Sequence, residues 1–403
     1  MCEGWRRNKL LKGYTMKFAA KMEKLKVETA FEMMAKAKKL EAEGKKIIHL
    51  EIGEPDFDTP KNIKEAAKKA LDAGQTHYGP SAGTPEHRKA IAEYYSKHIG
   101  VQYGPENVVV TPGAKPIMSF AITALLEEGD ECLVPDPGFP IYQSMVKFNG
   151  GVPVPLPLRE EKDFRLDVNE LKSKITKKTK LIIINSPHNP TGGILTKDDL
   201  KAVADISVNN DIPVLSDEIY DRMIYEGKFE SIAQFPGMKE RTIILNGYSK
   251  TYAMTGWRVG YGLMPTDLVG HMAQLMTNIN SCTATFSQTA CIEALKGPQD
   301  EVTAMMNEFK KRRDFIVDRI NKIPKLSCRK PAGAFYIFVN VKQTGMNSRK
   351  FTDFLLNDCE ICALAGANFG AEGEGYVRFS YANTIENLAE AANRIEKALA
   401  KLS

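Results

Sequence analysis

Several features are scarce in this 403-residue chain, and each shortage removes a class of function. No apolar run approaches the roughly 20 residues that a membrane helix requires, so no membrane span is expected. The opening stretch, MCEGWRRNKLLKGYT, is basic but has no apolar core of signal-peptide length, and reads as an extension ahead of a cytoplasmic protein. The seven cysteines are scattered, with one pair, Cys359-Glu-Ile-Cys362, and no second C-x-x-C. A structural zinc site wants four ligands, so reduced thiols and no metal site are expected. The six histidines form no metal-like cluster along the sequence, and His188 reads as a site-wall residue. A net charge of +5 is small for this length, and no arginine tract interleaved with aromatics points to nucleic acid. No G-x-G-x-x-G follows a strand, which disfavours a dehydrogenase. The one G-x-S-x-G, Gly79-Pro-Ser-Ala-Gly83, follows no apolar strand, so it lacks the setting of a serine hydrolase nucleophile.

What is present has the balance of a globular protein, 43% apolar and 26% charged, long enough for two domains. A rhythm runs through its middle: short apolar strand, polar loop, helix. Val108–Val110 leads to Thr111-Pro-Gly113-Ala114-Lys115, and Cys132–Val134 to Asp136-Pro-Gly-Phe139. Leu181–Ile184 leads to Asn185 and Asn189-Pro-Thr-Gly192, and Pro213–Leu215 to Ser216-Asp217-Glu-Ile-Tyr220. Thr242–Leu245 leads to Ser249-Lys250. Such alternation predicts an α/β fold with a mainly parallel, doubly wound sheet. Ligands of such sheets bind outside the carboxyl ends of the strands.

The ends of the chain differ. A helix over Glu28–Glu43, carrying Phe31, Met34, Ala35 and Leu40, precedes a short apolar run, Ile47–Ile52. Thr59-Pro60 is read as a capped helix start with a buried stripe of Ile63, Ala66, Ala67, Ala70 and Leu71. Near the other end come a charged helix (Glu301–Ile323), strands around Ala334–Val339 and Tyr376–Ser380, and a closing helix from Ile385 to Leu402. The expected division is an extension (1–15), a smaller α+β domain (16–58 with 301–403) and a large α/β domain (59–300).

A lysine straight after a buried strand calls for a use, because ammonium groups are rarely turned inward without one. Lysine is the usual imine former with carbonyl compounds, pyridoxal phosphate among them. That cofactor needs an amine for its aldehyde, amides and a cation for its phosphate, a carboxylate for its pyridine nitrogen, donors for its phenolic oxygen and an apolar face for its ring. Lys250 is the amine. Gly113 and Ala114 open a helix whose free amides suit phosphate, with Ser249 and Arg258 completing the cup. Asp217 can keep the ring nitrogen protonated, Asn189 and Tyr220 can bond the phenolic oxygen, and Phe139 can stack on the ring.

These pieces, together with Gly53-Glu-Pro-Asp-Phe57, Thr76-His-Tyr-Gly79, Ser186-Pro-His-Asn-Pro-Thr-Gly192, Ser249-Lys-Thr-Tyr-Ala-Met-Thr-Gly-Trp-Arg258 and Tyr376-Val-Arg-Phe-Ser380, resemble the class I and II aminotransferases of fold type I from about Met22 onward. The aspartate aminotransferase branch of archaea and bacteria is the most similar. The resemblance implies a pyridoxal-phosphate-dependent transaminase that takes an amino acid and a 2-oxo acid in alternation. Lys250 would bond the cofactor and shuttle the α-proton. Gly113, Ala114 and Lys115 would lie at the phosphate, Arg378 would grip the α-carboxylate, and Gly53 and Asn189 would line the substrate pocket. Lys115 would also contact the distal carboxylate of a dicarboxylic substrate. Tyr78 would reach the phosphate of a neighbouring subunit, which implies a homodimer. Gly247 stands where many members carry a phosphate-binding serine, so one contact is expected to be missing. The alternatives on the same fold are aromatic or broad specificity and a carbon–sulfur lyase. A transcriptional regulator would need a DNA-binding domain that the residues before Met16 are too few to encode.

Overall fold

Short β-branched runs form the centre of the structure, a computed structural model that describes residues 16–25 and 29–402. The basic extension over 1–15 lies outside them, as does Glu28. Thirteen strands occur among the described residues. They are β1 (Ile48–His49), β2 (Val108–Thr111), β3 (Glu131–Asp136), β4 (Val152–Pro157), β5 (Thr179–Asn185), β6 (Val214–Asp217) and β7 (Thr242–Gly247). Then follow β8 (Gly260–Leu263), β9 (Ser327–Cys328), β10 (Tyr336–Asn340), β11 (Ile361–Cys362), β12 (Leu364–Ala365) and β13 (Tyr376–Ser380). The helices that position the site are α1 (Thr29–Ala42), α2 (Lys61–Asp72), α3 (Pro85–Ile99), α4 (Lys115–Leu125) and α5 (Ile141–Phe148).

The large sheet has the order β2-β8-β7-β6-β5-β3-β4. Every pairing is parallel except the two made by β8. All residues of β2, β6 and β7 are buried, which is why they read as unbroken apolar runs rather than alternating ones. Two of the seven strands are not among those read from sequence. β4 has proline at every second position and is the sheet's edge, paired with β3 alone, where a missing N–H is tolerated. β8 is glycine-rich because backbone must pass close by: a Cβ at Gly260 would lie 2.3 Å from the Ala114 nitrogen. That need overrides the low strand propensity of glycine.

An antiparallel sheet, β12-β13-β10-β9, forms near the C-terminal end, and β1 pairs in parallel with β11. The Ile47–Ile52 run therefore keeps only two residues in a strand. One continuous apolar core joins Val134, Leu215 and Leu245 of the large sheet to Phe309, Phe335, Val377 and Ile395. Each such buried side chain contributes about 1.5–3 kcal/mol. Helix α2 starts at Lys61 with no side-chain cap. The Thr59 hydroxyl instead donates to the Ala253 carbonyl (2.7 Å) and accepts from Trp257 Nε1 (3.0 Å), tying this segment to the lysine loop. The buried face of α2 is Ile63, Ala67 and Ala70, whereas Leu71 is 45% exposed. Likewise α1 buries Ala30 and Ala37 and leaves Phe31 54% exposed. Helical periodicity marks an apolar face but does not say whether protein covers it. Among the described residues no helix is long and apolar enough to cross a membrane.

Candidate active site

Strands β2, β3, β5, β6 and β7 end on one edge of the sheet, and residues that follow them surround a cavity of about 550 Å³. At the end of β2 the Thr111 hydroxyl donates to the Gly113 carbonyl (2.7 Å). Gly113 turns with φ +82°, and Ala114 then caps the start of α4. A Cβ at Gly113 would stand 2.1 Å from a guanidinium nitrogen of Arg258, so only glycine lets the arginine lie against this turn. Arg258 itself has φ +53° and donates from Nη1 to the Thr255 carbonyl (2.8 Å). The start of α4, Ser249 and Arg258 thus form a donor cup. An anion there gains about 0.3–1 kcal/mol from the helix dipole alone. At the end of β7, Gly247 faces β8 so closely that a Cβ would be 3.1 Å from the Gly260 Cα, which disfavours a serine there.

Asp217 ends β6 and is 7% exposed. The Tyr142 hydroxyl donates to its Oδ2 (2.6 Å) and the Ile219 amide to its Oδ1 (3.2 Å). Burial pushes this carboxyl up to about 6, against the pull of the Tyr142 and Ile219 hydrogen bonds and the Lys250 charge. It is a carboxylate that a cationic partner would stabilise. Lys250 follows β7 and donates from Nζ to the Gly53 carbonyl. Phe139 leans edge-on to Tyr142, and Lys115 Nζ lies 5.4 Å from the Phe139 ring centre.

After β5, the Asn185 amide donates to the carbonyls of Pro187 (3.1 Å) and Asp217 (2.9 Å), and its oxygen accepts from the Asn189 N–H (2.9 Å). This holds Asn189 so that its own oxygen accepts from Arg378 Nη1 (3.0 Å). Arg378, on β13, is 4% exposed and donates from Nη2 to the Glu51 carbonyl. Its guanidinium lies 4.4 Å from the Tyr336 ring centre and 5.0 Å from that of Phe369. Its buried Nε has no hydrogen-bond partner, so the fork retains a donor for an anion. The Tyr220 and Tyr336 hydroxyls share a 2.8 Å hydrogen bond. Four cationic side chains (Lys115, Lys250, Arg258 and Arg378) line the cavity against two carboxylates, Glu54 and Asp217. Such a lining suits a ligand with several negative charges.

The predicted residues line this cavity except for three, of which Gly113 stands just behind it against Arg258. His188 is buried behind the lining and bonds Thr191 Oγ1 through Nδ1 (2.8 Å), so it braces the turn rather than forming the wall. Tyr78 is 89% exposed in a shallow depression beside Thr285 and Phe286, outside the cavity. Sequence reasoning missed Tyr142, Tyr336 and Asn185. Tyr142 was findable, because it lies three residues beyond Phe139 at the start of α5 and shares its face. Tyr336 carries no such signal. Away from the cavity, His49 lies against Glu51 and Cys362, a grouping that nothing in the sequence announces.

The comparisons with known proteins agree with this geometry. Residues 45–395 match the family described as aminotransferase class I and II. An aspartate aminotransferase of Pyrococcus horikoshii is 46% identical over 373 residues, 91% of this chain and 93% of its own. An aromatic-amino-acid aminotransferase of Thermococcus litoralis is 44% identical over 88% of this chain and 92% of its own. The solved structure of Thermus thermophilus aspartate aminotransferase with maleate superposes with a TM-score of 0.92 at 34% identity, covering 95% of this chain and 100% of that one.

Proposed function

We propose, from the premise that this chain belongs to the class I and II aminotransferases, that it holds pyridoxal phosphate on Lys250 and moves the amino group of an aspartate-type amino acid to a 2-oxo acid such as 2-oxoglutarate. Enzymes of this family use that cofactor, and the donor set here fits it. The observation that carries the reading is the convergence of an amine, a buried carboxylate, a phosphate cup and a buried arginine on one cavity. When bound, the cofactor supplies a conjugated ring that accepts the electron pair left at the substrate Cα.

The chain's own residues do the rest. Arg258, Ser249 and the first amides of α4 would hold the phosphate, Phe139 would cover the ring, and Asn189 and Tyr220 would bond the phenolic oxygen. Asp217 would hold a proton on the pyridine nitrogen, a charge pair that the carboxylate's burial would strengthen. Arg378 takes the α-carboxylate in its fork and orients the Cα–H bond toward Lys250. Once the incoming amine has displaced it from the cofactor, Lys250 Nζ would take that proton as general base and deliver it to the cofactor carbon as general acid. Replacing Lys250 by alanine should abolish turnover and the absorption band of lysine-bound cofactor; a coloured, active variant would end the proposal.

Lys115 at the cavity rim is the group read as contacting a distal carboxylate, and the relative solved with maleate, a dicarboxylate, supports that reading. One charge-assisted contact contributes about 1.5–3 kcal/mol. Lys115→Ala should therefore lower the aspartate-to-alanine ratio of kcat/KM about ten- to a hundredfold. An unchanged ratio removes the assignment. A second reading, acceptance of aromatic amino acids, is favoured by Phe31, which lines the cavity yet is 54% exposed, and by the Thermococcus litoralis relative. A panel of amino acids against 2-oxoglutarate separates the two. We also read the chain as one half of a homodimer, with exposed Tyr78 reaching the partner's phosphate. Residues 16–58 and 301–403 are read as the smaller domain against 59–300.

A further inference from the structure

We propose that His49 Nδ1, a carboxylate oxygen of Glu51 and the Cys362 sulfur form a binding site for a borderline divalent transition-metal ion, with Zn²⁺ as its representative. The site lies where β1 and β11 pair, and His49 and Cys362 are register partners there. The three ligand atoms all lie within 4.8 Å of one another. Ligand–metal distances of about 2.0–2.3 Å put tetrahedral ligand atoms roughly 3.3–3.8 Å apart, so closure needs side-chain shifts on the order of 1 Å.

Three further observations point to a cation. Glu51 has no exposed surface, and its Oε2 has no hydrogen-bond partner, an arrangement costly for a carboxylate unless a positive charge stands beside it. His49 Nε2 lies 3.0 Å from Glu41 Oε1. That contact gives the ring an outer carboxylate partner, the outer-shell arrangement common to metal-bound histidines, while Nδ1 faces the cluster. Finally, the His49 side chain is 32% exposed, so solvent reaches the site and can supply the fourth ligand. The Glu51 carboxylate lies 2.8 Å from Nδ1, so these two ligand groups already stand side by side. Binding a metal ion there would release the protons that the ligand atoms carry.

The joint is not remote from the cavity. The Glu51 carbonyl accepts from Arg378, and Leu364, two residues beyond Cys362, is the register partner of Arg378. An ion here would brace the two segments, just beyond β1 and β11, that meet Arg378.

The test is Zn²⁺ uptake by the cofactor-loaded protein after chelator treatment, measured by equilibrium dialysis and elemental analysis. One Zn²⁺ per chain is expected, lost in both His49→Gln and Cys362→Ser. Glu41→Gln should keep the site but weaken it about 10- to 100-fold. Co²⁺ in place of Zn²⁺ should give the visible bands of a tetrahedral site, absent from Cys362→Ser. No uptake by the parent protein, or uptake untouched by His49→Gln, overturns the proposal. His49 is on the solvent side, so its variant remains informative if Cys362→Ser fails to fold. Lys250→Ala should take up the same ion, which separates this inference from the reading of the active site.

Discussion

Asp217 and Glu218 are neighbours in sequence at the end of β6, yet they belong to two different regions. Successive strand residues point to opposite faces, so Asp217 faces the cavity while Glu218 faces the helix layer that includes α3. Both are buried, at 7% and 1% exposure. Burial pushes both upward, Asp217 to about 6 and Glu218 to about 7. By burial and acidity alone they would be equal candidates for chemistry. Their partners separate them. Glu218 is enclosed by hydroxyls, from Tyr95, Ser216 (2.8 Å) and Ser231 (2.7 Å), and no ligand can approach it. Asp217 has one hydroxyl and one amide, and its open side meets the cavity that Lys250 shares. A perturbed carboxyl marks a site only where something can reach it.

The largest expected effect tests that distinction directly. Asp217→Asn keeps the shape but removes the charge that holds a proton on the pyridine nitrogen. We expect kcat to fall about 10²–10³-fold, the usual loss when a preorganised electrostatic group is removed. Steady-state kinetics with aspartate and 2-oxoglutarate decides it; a variant with undiminished kcat would make Asp217 no more special than its neighbour.

The same comparison shows what sequence could and could not reveal. Strand ends were legible because fully buried parallel strands are unbroken apolar runs, so Asp217, Lys250 and Asn189 could be placed on one edge from spacing alone. Motif resemblance added Arg378, which no spacing argument reaches. Glycine-rich β8 and proline-rich β4 were hidden, because close backbone approach and an edge position override propensity. The Thr59 hydroxyl looked like a cap and is a tether to Ala253. Contacts such as Tyr220 with Tyr336, or His49 with Cys362, join residues distant in the chain, and nothing local announces them.

A smaller effect, on stability rather than rate, is expected from Glu218→Gln. Its amide cannot accept from all three hydroxyls, and the mismatch should cost about 1–3 kcal/mol while kcat stays unchanged. The pH dependence gives the sign. Glu218 is held near 7 in the folded chain against an ordinary 4.5, so the folded state binds the proton more tightly. Its contribution to folding is therefore fully present below 4.5 and is lost as pH climbs through about 7. Gln cannot titrate, so the Tm gap between parent and variant should narrow as pH rises across that interval. A gap that widens would show Glu218 to be a stabilising carboxylate after all.

The finest test concerns Tyr142, the one hydroxyl that the cavity side shares in kind with the enclosed side. Its hydrogen bond to Asp217 Oδ2 pulls the carboxyl pKa downward against burial. Tyr142→Phe removes about 0.5–1.5 kcal/mol of stabilisation from the charged form, so kcat should drop roughly two- to tenfold. Because the charged form is the one weakened, the acid limb of the kcat–pH profile should move to higher pH. Glu218→Gln, which alters a carboxyl out of reach of substrate, should leave that limb in place. If the limb stays fixed in Tyr142→Phe as well, a different group governs it, and the hydroxyl serves only to pack α5 against the strand end.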